Sequence, residues 1–157
     1  MTQFLISMSV WLHALATVVF IGHFVLLAVL YLPTLSAQET AHVAGPILGG
    51  VSKRSRPWLY ASLIVFMVTG IYLMIVNPNY KGVGNFGNFW AVMMLVKHIL
   101  IAGMIALGFW YNAILRVGPM LSSNNPEQAL IRFRNYVNVM AVCGVLVLLL
   151  TALSQTQ

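Results

Sequence analysis

Four apolar stretches, each long enough to cross a hydrocarbon core, dominate this chain: about residues 4–33, 58–76, 89–115 and 133–153. A bilayer core ~30 Å thick needs about 20 helical residues per crossing. Within lipid, every backbone N–H and C=O must find its partner inside the protein. These constraints predict an all-α integral membrane protein, an antiparallel four-transmembrane-helix bundle, with residues 1–157 forming one membrane domain. Composition agrees: 61% of residues are hydrophobic and 6% charged, whereas about a quarter are charged in soluble domains. The first stretch lacks a basic leader and a small-residue cleavage site, so it reads as a retained helix.

The placement of charge predicts orientation. Lys53, Arg54 and Arg56 precede the second span, and Arg116, Arg132 and Arg134 flank the connection from the third to the fourth. Basic residues near span ends collect on the cytoplasmic side. Both connections are therefore expected to be cytoplasmic, and both termini outside, in the periplasm of a bacterial inner membrane. The opposite face offers only Lys81. Despite a net charge of +6, this distribution points to the lipid bilayer and not to nucleic acid.

Two further patterns are structural. The polar stretch from Ser36 to Arg56 carries apolar Ala41, Val43, Ala44 and Ile47, which predicts a short interfacial helix before Pro46. Gly82 to Gly87 spells G-x-G-x-x-G, but a dinucleotide site needs a preceding strand and a βαβ unit. Between two membrane helices it reads as a loop. The single cysteine, Cys143, excludes an internal disulfide and reads as a small apolar filler.

Ionisable groups at membrane depth are costly and usually mark a site. His13, His23 and His98 lie within spans, and His42 lies in the polar stretch. The first and third spans run in the same direction, and His13 and His98 each stand nine residues past the span start. At ~1.5 Å per residue both lie roughly 13 Å deep. Two imidazoles at one depth are what a bis-histidine b-type haem requires. His23 is ten residues past His13, about 15 Å deeper and some 80° around the helix, so the two cannot share a metal. An inner site would need His23 with His42. Each also has a plainer role, as a hydrogen-bonding or solvated residue. Lys97, beside His98, either meets an anion such as a haem propionate or snorkels outward. The only acids, Glu39 and Glu127, lie outside the spans, which argues against an ion pump. Met93, Met94, Met104 and Met8 offer thioethers for Cu(I), although methionine is also ordinary core filler.

Trp11 to Leu15, Ile21-Gly22, Leu32-Pro33, Arg54 and Arg56 before Thr69-Gly70, and Lys97, Gly108, Asn112 and Pro119 stand along the chain, followed by Arg132 to Arg134 and Leu149 to Thr151. Together these short motifs resemble CopD-like copper-resistance membrane domains, which implies copper uptake. More distantly they are similar to HemJ-type protoporphyrinogen oxidases, whose helix-one histidine and helix-three lysine would fall on His13 and Lys97.

The leading expectation is a b-type haem-binding electron-carrying subunit with one or two haems. His13 and His98 would hold the outer haem with Lys97 near its propionates, and His23 and His42 an inner one. Quinone, a periplasmic acceptor and further membrane subunits would be its partners. The alternatives are a CopD-like copper protein using His13, His98 and Met93 or Met94, a HemJ-like oxidase, and a structural subunit that binds nothing.

Overall fold

The computed structural model describes residues 2–35, 41–82, 84, 85, 87–110 and 126–155. Its helices are α1 (Thr2–Leu35), α2 (Ala41–Ile75), α3 (Phe89–Trp110) and α4 (Pro126–Gln155). Each contains a stretch long and apolar enough to cross a membrane. The expected third-span end at Leu115, the Gly118-Pro119 stop, Glu39, Arg116 and the serine- and asparagine-rich connection lie outside the described residues.

Lipid exposure, not amphipathic contrast, shapes these helices. Val18, Val29, Trp58, Ile64 and Val142 stay exposed because hydrocarbon is their solvent. The shared core gathers Phe24, Leu27 and Leu32 of α1, Leu48 and Leu59 of α2, Met104 of α3, and Phe133, Val137 and Met140 of α4. Close packing joins α1 to α2, α1 to α4 and α3 to α4. Among the described residues α2 and α3 are not closely packed on each other, and a groove lies between them.

Two features depart from the sequence reading. The expected interfacial helix and second span form one helix, Ala41–Ile75, running through Pro46 and Pro57. Each proline removes one backbone donor, and the helix continues past both. Within α1, residues Leu27–Tyr31 form a π turn, with Leu32 N–H donating to Leu27 O five residues back. One extra residue is thereby absorbed without ending the helix.

The connection from α2 to α3 is ordered by its asparagines. Asn77 Oδ1 accepts from Asn79 N at 2.9 Å, and Asn88 Nδ2 donates to Asn79 O at 3.0 Å. Asn88 Oδ1 caps α3 through Ala91 N at 2.7 Å. Gly82 and Gly84 adopt φ values of +100° and +85°, a region open to glycine at little strain. The described glycines of the G-x-G-x-x-G pattern, Gly82, Gly84 and Gly87, thus lie between two helices.

Candidate metal centre

His13 is held on three sides. Its ring stacks on Phe66 of α2, with centroids 4.4 Å apart and planes 23° apart. Its Nδ1 lies 2.9 Å from Thr69 Oγ1. Gly70 lets the helices close here, since a Cβ at that position would stand 3.2 Å from His13 Cε1. The Thr69 hydroxyl has one proton, directed at the Val65 carbonyl 2.6 Å away. With that proton engaged, its oxygen is free to accept from His13 Nδ1–H. In the neutral ring, Nε2 then carries the lone pair.

His98 reaches the same state by a local route. Its Nδ1 lies 2.6 Å from Met94 O, one turn earlier on α3. A carbonyl only accepts, so Nδ1–H donates and Nε2 is again the lone-pair nitrogen. A histidine whose second nitrogen is tied to an acceptor is oriented as metal-ligating histidines usually are.

Both rings line one cavity of about 50 Å³, together with Phe66, Gly70, Met94 and Lys97. Met67, Ile71 and Ile101 complete its wall. Lys97 is 9% exposed, so it does not snorkel as a membrane-end lysine would. The cavity continues into an open groove of about 370 Å³ between α2 and α3, past Met67, Met74 and Trp90 to Lys81. Among the described residues no cluster of three His, Cys, Asp or Glu side chains forms. Any metal here would have to draw on two imidazoles and thioether sulfur.

The expected outer trio of His13, Lys97 and His98 is therefore brought to one cavity. His23 stands elsewhere, in a separate pocket near the basic ends of α2 and α4, lined also by Phe24, Leu48, Ser52, Phe133 and Tyr136. Its ring meets Phe24 edge-on at 5.4 Å. His42 lies in the first turn of α2, six residues before Leu48, which is about 9 Å along the axis. The His42 side chain lies outside what the structure describes, and the expected pairing of His23 with His42 falls there with it. Met94 lines the cavity, whereas Met93, Met8 and Met104 do not. Phe66, Thr69 and Gly70 were not singled out as site residues. A threonine followed by glycine at mid-span was the available signal.

Comparison with protein families matches residues 50–154 to the family described as Copper resistance protein D. Neither curated proteins nor solved structures give a significant match. The matched segment takes in Thr69, Lys97 and His98 and leaves His13 on α1 outside it. Since it spans well over half of the sequence and all of α3, this multi-pass membrane chain belongs to the copper resistance protein D family.

Proposed function

We propose that this protein binds a cuprous ion in the cavity between α1, α2 and α3, as the recognition step of copper transport or resistance. The observation that carries this reading is the matched state of His13 and His98. Each sets its Nδ1 within hydrogen-bond distance of a protein oxygen and lines the same cavity. Imidazole nitrogen with the Met94 thioether forms a donor set that suits Cu(I). A volume of about 50 Å³ accommodates an ion with a small co-ligand, since one water needs about 10–15 Å³ on this measure.

The positions of the basic residues support an orientation. Lys53, Arg54 and Arg56 on α2 and Arg132 and Arg134 on α4 gather at the end where Ser52 and Phe133 share a pocket. That end is read as cytoplasmic in a bacterial inner membrane. The candidate centre then lies in the outer half, and its groove opens toward the periplasm. Reporter fusions at each terminus test this, with both expected outside.

A b-type haem ligated by His13 and His98 would use the same two nitrogens, but family membership favours copper. Metal analysis with a reduced-minus-oxidised visible spectrum separates the two. Copper near one per chain without a haem α-band is expected, and should fall in both His13→Ala and His98→Ala. Iron porphyrin without copper would overturn the reading.

A further inference from the structure

We infer that the copper cavity takes its ion together with a small polarisable anion of the halide class, held between the metal and Lys97. This rests on the copper reading above and specifies what the site accepts.

The charges around the cavity carry the inference. His13, His98 and Met94 are neutral donors, while Lys97 lines the same cavity and is 9% exposed. Glu39 and Glu127 are the only acids in the chain, and neither lies within a candidate span. Among the described residues, nothing anionic stands beside the ammonium. A cuprous ion entering alone would place a second positive charge in one poorly screened cavity. Two like charges about 5 Å apart at an effective dielectric near 20 weaken binding on the order of a hundredfold.

An anion removes that penalty by meeting both cations. A lysine head is a compact charge with three donors, suited to a spherical anion. A polarisable halide also suits soft Cu(I), by the matching of softness that favours thioether donors. The cavity of about 50 Å³ has room for both particles. The carried species is then a neutral ion pair, which crosses apolar surroundings more readily than a bare cation.

X-ray absorption at the copper edge tests this directly. The full chain is loaded anaerobically with Cu(I) in a bromide buffer. Wild type should show a bromide scatterer beside nitrogen and sulfur. Lys97→Met should keep copper but lose the bromide shell, and Lys97→Arg should retain it. If Lys97→Met fails to fold, the wild-type and arginine spectra still decide. Copper bound by nitrogen and sulfur alone in wild type overturns the inference, as does a bromide shell unchanged in Lys97→Met. Absence of copper from wild type would instead overturn the proposed function.

Discussion

Thr69 Oγ1 of α2 stands 2.9 Å from His13 Nδ1 of α1, with its own proton committed to the Val65 carbonyl 2.6 Å away. The hydroxyl is thus a one-way acceptor that fixes which imidazole nitrogen faces the cavity. Thr69→Val keeps the shape and removes the acceptor. Outer partners of this kind are worth ~10–100-fold in metal affinity. Thr69→Val should weaken Cu(I) binding by that order in competition with a chromogenic chelator, while Thr69→Ser stays near wild type. Equal affinity in all three proteins would mean that the hydroxyl does not orient the ring for metal.

Gly70 offers an independent probe of the same ring. A Cβ there would lie 3.2 Å from His13 Cε1 and 3.7 Å from Nδ1, so Gly70→Ala must push the imidazole by a few tenths of an ångström. The ring is also pinned against Phe66 at 4.4 Å, and it has little freedom to yield. Metal sites tolerate only about 0.5 Å of such error. Cu(I) affinity should fall while thermal unfolding of the apo protein shifts little. A variant that unfolds early but binds at full strength would contradict this division.

The His23 pocket should be separable from the copper centre. It brings His23 together with Ser52 and Tyr136, and neither His13 nor His98 lines it. His23→Gln and His42→Gln should therefore leave the copper-to-protein ratio unchanged, with a stability loss of about 1–2 kcal/mol for the half-buried His23. A drop by one equivalent in either variant would reveal a second metal site that uses it.

How far the sequence reached follows from which physical rules are local. The expected common depth of His13 and His98, and the separation of His23 from His13, follow from rise and twist along single helices; in the structure His13 and His98 line one cavity and His23 another. The continuity of α2 through Pro46 and Pro57 is not legible locally, because a proline marks a probable helix boundary and not a certain one. The opening between α2 and α3, and with it the cavity, depends on which helices pack. Apolar sequences with little helical asymmetry do not encode that in any one segment. Thr69 and Gly70 gained their roles only when α1 was laid against α2.

The contact of α1 with α4 gives a prediction about stability alone. Gly144 of α4 faces Ile21 of α1 so closely that a Cβ would stand 2.7 Å from Ile21 Cγ2 and 3.5 Å from its Cβ. The clash is with a branched side chain near its root, and Ile21 is 4% exposed, so it cannot swing clear. Gly144→Ala should therefore be destabilising by about 1–3 kcal/mol, the usual range for overpacking. In a chain of this size that lowers the thermal midpoint by roughly 2–12 °C. Ile21→Ala alone leaves a cavity and is also destabilising, but it removes the atoms that clash. Combined, the two substitutions should cost less than their sum, a coupling of ~0.5–3 kcal/mol in a double-mutant cycle. Thermal unfolding of the four proteins in one detergent measures it. Strict additivity would mean that α1 and α4 do not approach through this pair.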